Sequence, residues 1–300
     1  MHITFRQLHL FLALAETGSV TGAARTLHVT QPTASMQLRE ITDAAGLPLY
    51  EVVSRKVYLT EAGQQLARTA RAIIDEWDSF GQKVNAMKGL TRGRLRVAVV
   101  STAKYFVPRL LGSFCAKHPG IDISLEVLNR DRVVQRLRDN LDDLYVMSLP
   151  PPDMDLEDQA FLANPLVLIA PRDHELARRQ RVSLKALQRA RFILREPGSG
   201  TRLATDRFFE AQGFVPGSRL ELGSNEAIKE AVASHLGVAV ISQHALKASE
   251  LSHELRILPV TGLPIRSKWH VVHPRTKELS PIARVFHEHL LREARHWAVA

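Results

Sequence analysis

Residues 23–42 read AARTLHVTQPTASMQLREIT, and the order of small, apolar and polar side chains in this run decides how the start of the chain folds. Ala23, Ala24 and Leu27 share one face at helical spacing, and the two alanines let another helix come close. His28-Val29 marks a tight turn. Thr30 then suits an N-cap, with Pro32 in the first helical turn, where a missing N–H costs least. Ala34, Leu38 and Ile41 form the apolar stripe of the helix that follows, which leaves Gln31, Thr33, Ser35, Met36 and Arg39 outside it. Upstream, Leu8, Phe11, Leu12 and Ala15 predict an earlier helix that ends at Gly18. Three short helices with a tight turn before the last have the form of a helix-turn-helix, whose last helix enters the major groove by its N-terminal residues. Glutamine suits adenine, and Thr or Met methyl groups suit the thymine methyl. Periodicity alone leaves a plain three-helix bundle with a solvated polar face equally open.

Further along, Leu47 to Glu51 and Val57 to Thr60 read as two extended segments around Ser54-Arg55-Lys56. That is a β wing with a basic tip, suited to phosphates, although such a turn by itself is ordinarily just solvated. Leu66, Ala70, Ile73, Trp77, Phe80, Val84 and Met87 then follow at intervals alternating between 4 and 3. A strict seven-residue repeat favours a left-handed coiled-coil seam, on a helix roughly 40 Å long. The alternative is a long amphipathic helix packed on its own domain. No nearby segment supplies a partner face, so the expectation is a homodimer whose two reading heads meet an inverted repeat. Gly89 and Gly93 punctuate a hinge.

The run at 23–42, with GLPLYE at 46–51 and RKVYLTEAG at 55–63, resembles the DNA-binding domain of LysR-type transcriptional regulators. The resemblance implies that Gln31, Pro32, Thr33, Ser35 and Met36 face DNA, with Arg55 and Lys56 in the wing. Thr33-Ala34 stands where that family more often has Ala-Val, a change that leaves the motif intact.

After residue 93 the pattern becomes strand–helix alternation. Leu95–Val100, Ile123–Leu128, Leu144–Met147, Leu166–Ala170, Phe192–Leu194, Leu220–Leu222 and Val238–Ser242 read as strands with helices between them. The expectation is α/β with mainly parallel sheets. Ligands in such folds lie beyond the carboxyl ends of strands, near helix starts. That rule nominates Ser101, Thr102 and Lys104 after one strand, Asn129 and Arg130 after another, and Ser199, Thr201 and Arg202 in PGSGTR. It also nominates Ser224 and Asn225. Hydroxyls and free N–H groups there suit an anion, with Lys104 and Arg202 supplying full charges. Taken one at a time, these residues are ordinary helix caps.

Several runs here, among them VSTAKYFVPRLLGSFCAKHPGI at 100–121 and FILREPGSGTRLA at 192–204, resemble the LysR subgroup that controls CO2-fixation genes, the CbbR/RbcR/CmpR type. The resemblance implies a fold that is α/β with an N-terminal all-α winged helix-turn-helix and a C-terminal periplasmic-binding-protein-like sensor of two α/β subdomains. The expected division is 1–60 for DNA binding, 61–92 for the dimerisation helix and hinge, and 93–300 for the effector. Within the last, subdomain I takes 93–163 and 267–300, and subdomain II takes 164–266. The resemblance also implies phosphorylated effectors such as ribulose 1,5-bisphosphate, assembly to a tetramer, and RNA polymerase as a further contact. Ser148-Leu149 departs from the Gly-Arg frequent in the subgroup, which bears on the phosphate compound recognised. GSGTR is shared by some sulfur-metabolism relatives, so regulation of another pathway stays open.

Composition narrows the alternatives. Forty-five per cent hydrophobic residues and a single cysteine fit a cored protein without a disulfide framework. No secretory leader pattern and no bilayer-length apolar run is present, so the expected location is the cytoplasm, with no membrane partner. The net charge of +9 does not mark the reading head: residues 1–92 hold ten Lys and Arg against eight Asp and Glu, and residues 93–300 hold thirty against twenty-three. An enzyme lacks support, since neither HExxH nor GxSxG occurs. Cys115 reads as core, and His287 and His289 as helix-surface residues. A pure solute-binding protein would match residues 93–300 but not the reading head. No cofactor is expected beyond the small-molecule effector.

Overall fold

In the computed structural model, which describes residues 2–54, 56–87 and 92–294, the chain divides near residue 90 into two units. The N-terminal unit runs through α1 (Phe5–Thr17), α2 (Val20–Thr26), α3 (Gln31–Ala45), the hairpin β1 (Tyr50–Val53) and β2 (Lys56–Leu59), and α4 (Glu61–Met87). Hydroxyl caps start the first three helices: Thr4, Ser19 and Thr30 accept the N–H of Gln7, Gly22 and Thr33 respectively. His28, at φ +53°, bends the chain between α2 and α3. Leu10, Phe11 and Leu14 of α1 meet Ala23, Ala24, Ala34, Leu38 and Ile41 in one core. Val57 N–H donates to Gly18 O (2.9 Å) and fastens the hairpin to the end of α1. The start of α4 lies so close to the chain before β1 that a Cβ on Gly63 would sit 1.8 Å from Leu49 O, so only glycine fits there.

The seven-residue repeat of α4 is divided between two environments. Ala70 is fully buried against Leu8 and Leu12 of α1, and Leu66 packs on the three-helix core. These two residues therefore belong to the unit's own interior, not to an intermolecular seam, because α1 supplies their partner face. From Ile73 onward the stripe is open: Ile73, Trp77 and Phe80 are 42%, 60% and 55% exposed, and Val84 is half-buried. Phe5 of α1 continues this surface, with its ring 5.5 Å from that of Trp77.

The C-terminal unit begins with β3 (Gly93–Val100), α5 (Val107–Lys117), β4 (Ile121–Leu128), α6 (Arg130–Arg138), β5 (Leu144–Met147) and β6 (Leu156–Ala163). It continues with β7 (Leu166–Pro171), β8 (Arg191–Arg195), α7 (Gly200–Ala211), β9 (Ser218–Leu222), α8 (Asn225–Ala233) and β10 (Val238–Ser242). α9 (Ala248–His253), β11 (Leu255–Leu258), β12 (Lys268–Pro274) and α10 (Pro281–Glu293) complete it. Two five-stranded sheets result, ordered β4-β3-β5-β12-β6 and β11-β7-β10-β8-β9. The chain passes from one to the other at Asn164 and returns at Ile265–Ser267. There Asn164 N–H donates to Ser267 O (2.8 Å), and Leu166 and Ile265 exchange backbone hydrogen bonds.

The sheets are mixed, not mainly parallel. β3 pairs in parallel with β4 and β5, and β8 with β9 and β10. β12 with β5 and β6, and β7 with β10 and β11, are antiparallel. The strands β6, β11 and β12, absent from the strand pattern read in the sequence, account for most of the difference. Two single residues also differ from expectation. Cys115 is exposed. His289 is 2% exposed, with Nε2 within 2.8 Å of Ser113 Oγ and its ring against Phe114 and Phe286; burial lowers its pKa. Among the described residues no helix is long and apolar enough to cross a membrane.

Candidate functional site

The first turn of α3 gathers small neutral polar groups. Gln31 Nε2 donates to Ser35 Oγ (2.9 Å), and the hydroxyls of Thr30 and Thr33 share a hydrogen bond of 2.8 Å. Gln31 and Pro32 are exposed, Thr33 and Ser35 partly so, and the Met36 side chain is 56% exposed. All five nominated residues thus lie together on one accessible end of the helix. Among the five, only Gln31 and Ser35 bond to each other; Thr33 pairs with Thr30. Lys56 is exposed beside the hairpin turn, opposite Val53. Arg55 lies outside the described residues.

In the C-terminal unit, residues 101–105 continue β3 as a 3-10 turn that sets Ser101, Thr102, Lys104 and Tyr105 against the other sheet. Arg195, the last residue of β8, is central and only 3% exposed. Its guanidinium donates to Ser101 Oγ (3.1 Å), to Asn225 Oδ1 (2.8 Å) and, through two nitrogens, to both Glu196 carboxylate oxygens (2.8 and 2.9 Å). Asn225 Nδ2 donates in turn to Thr102 Oγ1 (3.3 Å). At the rim, Glu226 accepts from Lys104 Nζ (3.0 Å) and Tyr105 OH (2.7 Å). Partial burial opposes ionisation of Glu226, but the bonds from Tyr105 and Lys104 prevail and hold its pKa down to about 2. Burial first, and then Glu226, push the Tyr105 phenol well above its ordinary range. Ser224 caps α8 through Ala227 N–H (3.1 Å). Arg195 falls outside the helix-start residues nominated from the sequence. Its only signal was a charge closing the apolar run Phe192-Ile193-Leu194.

A second group forms where α6 meets the turn before α7. Gly198, at φ +80°, comes so close to Asp131 that a Cβ would sit 2.6 Å from its carboxylate. Asn129 Oδ1 accepts Arg132 N–H (3.1 Å), and Arg130 Nε donates to Leu149 O (2.8 Å). Burial lowers the Arg130 pKa. Ser199 caps α7, and Thr201 is buried. The nominated residues therefore make two groups, Ser101–Thr102–Lys104–Asn225 and Asn129–Arg130–Ser199–Thr201.

The two charges expected to meet an anion are already neutralised. Lys104 pairs with Glu226. Arg202 is held by Asp206 (2.7 Å), Glu221 (3.2 Å) and Arg195 O (2.8 Å), because it lies one helical turn before Asp206 and beside β9. The open positive charge lies elsewhere. Arg207, Arg266 and Lys268 line a cavity of about 490 Å³ together with Ser148, Phe208 and His270. Among the described residues no carboxylate stands within ion-pair distance of these three cations. Arg130 and Ser199 line a neighbouring cavity of about 280 Å³. Ser148 Oγ lies 3.1 Å from where a Cβ of Gly200 would be, so the two cavities border the same turn.

A family model described as "LysR substrate binding domain" matches residues 88–295, and "Bacterial regulatory helix-turn-helix protein, lysR family" matches residues 5–64. A "RuBisCO operon transcriptional regulator" of Acidithiobacillus ferrooxidans is 44% identical over 289 residues, covering 96% of this chain and 94% of its own. The solved regulatory domain of Synechocystis PCC6803 CcmR in complex with 2-PG is 47% identical, with a TM-score of 0.67, covering 69% of this chain and all of that one. Full-length CbnR complexed with its target DNA shares the fold at 23% identity and a TM-score of 0.66, covering 97% of this chain and all of that one.

Proposed function

The chain belongs to the LysR family of DNA-binding transcriptional regulators, and from that membership we propose that it controls CO2-fixation genes in response to a small phosphorylated carboxylate or sugar phosphate. The single observation that carries the effector class is the group of unpaired cations, Arg207, Arg266 and Lys268, around one cavity beside the helix-start turn of α7. Phosphate or carboxylate oxygens would meet those cations and the N–H groups of the turn, with Ser148 and Arg130 at its edge. The whole-length likeness to a RuBisCO operon regulator supports the choice of genes.

In this reading α3 enters the major groove, where Gln31, Thr33, Ser35 and Met36 touch base edges and Lys56 touches phosphate. Two copies join through Ile73, Trp77, Phe80 and Val84 and present paired reading heads to an inverted repeat in the cytoplasm, where the chromosome lies. A ligand changes DNA binding only through different affinities for two arrangements of the protein. The Arg195 and Glu226 bonds that span the two sheets are the contacts such a rearrangement must keep or break.

Calorimetry on the full chain tests the effector class, with 2-phosphoglycolate, ribulose 1,5-bisphosphate and a neutral sugar as probes. A phosphorylated probe should bind and lose affinity when Arg266→Gln and Lys268→Gln are combined. Tight binding of the neutral sugar alone would overturn the assignment.

A further inference from the structure

The sheet β11-β7-β10-β8-β9 has a second end, away from Arg195. β8, β9 and β10 run parallel and β7 runs against β10. The end of β7 and the starts of β8, β9 and β10 therefore lie together, opposite the cleft. The connection from β7 to β8 closes over this end. From Leu176 of this connection through Arg195 at the end of β8, the chain contains no Asp or Glu and seven Lys or Arg. Six of the seven, Arg178, Arg179, Arg181, Lys185, Arg189 and Arg191, are exposed. Among the described residues none of the six has a carboxylate within ion-pair distance. Here sits much of the positive charge that the reading head does not carry.

The segment is a fixed surface. Leu176, Val182 and Leu187, at 4%, 1% and 0% exposure, anchor it in the core of the sheet. Val182 N–H donates to Pro259 O (3.0 Å), and Val182 O accepts Thr261 N–H (2.8 Å). Gln188 Nε2 donates to Val215 O (2.7 Å), and Arg181 Nε donates to Thr261 Oγ1 (3.2 Å). Apolar anchors alternate with outward cations, so the charges are held in place and repel one another until a polyanion covers them. Five of the six are arginine, whose planar fork matches phosphate oxygens in pairs. At the same end His174, His235 and His253, distant in sequence, line a depression of about 790 Å³ with Arg172, Asp173 and Glu254.

We propose that this end of the C-terminal unit is a second, sequence-independent DNA contact, which takes the phosphate backbone of duplex flanking the inverted repeat read by α3. The proposal rests on DNA binding by the N-terminal unit. Once that unit holds the duplex, weak phosphate contacts act at high effective concentration and position the DNA without reading it.

The test compares the full chain with its Arg178→Gln, Arg179→Gln and Arg181→Gln triple variant on two duplexes. One is confined to the inverted repeat and the other extends beyond it on both sides. The wild-type chain should bind the long duplex more tightly. The variant should lose about tenfold on it, with the slope of log affinity against log salt smaller by about 2–3. On the short duplex the two proteins should bind alike. Equal affinity and slope on the long duplex would overturn the proposal and leave an acidic protein surface as the occupant. An equal loss on both duplexes would overturn it too, by moving the effect to the reading head. If wild type failed on the short duplex, the DNA reading of α3 would fall, and this inference with it.

Discussion

The N-terminal unit keeps its chemistry outside, and the cleft of the C-terminal unit keeps its chemistry inside. Gln31, Met36, Trp77 and Phe80 are all exposed, and the Gln31 amide bonds to Ser35, one turn along the same helix. Thr102, Arg195, Ser199, Thr201 and Asn225 are each less than 10% exposed, and Arg195 and Asn225 reach partners contributed by the other sheet. A surface meant for DNA or a second copy must stay open, since its partner arrives later. Polar groups buried between the two sheets have no water to bond, so they satisfy one another. Substitutions in the first region should therefore alter association while leaving the fold intact, whereas those in the second should cost stability.

The largest effect is expected at Arg195. Arg195→Ala takes the guanidinium donor away from Asn225 Oδ1 and from the Glu196 carboxylate and should cost about 3–5 kcal/mol, read as a lower denaturation midpoint of the full chain. An unchanged midpoint would erase the contrast. Trp77→Asp comes next: it should raise the dimer dissociation constant about a hundredfold, roughly 3 kcal/mol, with no drop in the far-ultraviolet helical signal. Sedimentation showing an intact dimer would place the seam elsewhere on the molecule. Gln31→Ala should remove about 1–3 kcal/mol of discrimination between operator and random duplex, measured by competition binding at fixed salt, and leave thermal stability alone.

The smallest effect belongs to Glu226, at the rim between the two regimes. Its folded pKa of about 2 lies below the ordinary 4.5, so its stabilisation is complete above about pH 4.5 and disappears as pH falls towards 2. The Lys104 and Glu226 side chains are 35% and 50% exposed, so solvent screens the pair and its contribution should stay below about 1 kcal/mol. Acid unfolding of Glu226→Gln should differ from wild type near neutral pH and converge with it near pH 2. A difference that persisted at pH 2 would mean that the carboxylate charge is not what closes the rim.

How much was legible depended on sequence distance. The reading helix could be derived because Thr30, Ala34, Leu38 and Ile41 act within four turns of one another. The candidate cleft was legible only as a set of helix starts. Which of its charges stay open could not be read, since Asp206, Glu221 and Glu226 decide the matter from other elements. β6 was hidden because most of its residues, Glu157 to Ala160 among them, are exposed, so no apolar alternation marks it. Its pairing with β12, more than a hundred residues on, defines it.

The sequence by itself determined the local grammar: capped helices in the first unit, a turn at His28, a seven-residue apolar repeat and loops rich in hydroxyls at helix starts. These follow from backbone hydrogen bonding and from periodicity, which act over a few residues. Only the tertiary structure decided that Ala70 faces inward and Trp77 outward, that Arg202 is neutralised while Arg207 is open, and that Arg195 joins segments 94 residues apart. The physical reason is that burial and ion pairing depend on what another element brings to the same point in space, and neither periodicity nor motif spacing carries that information.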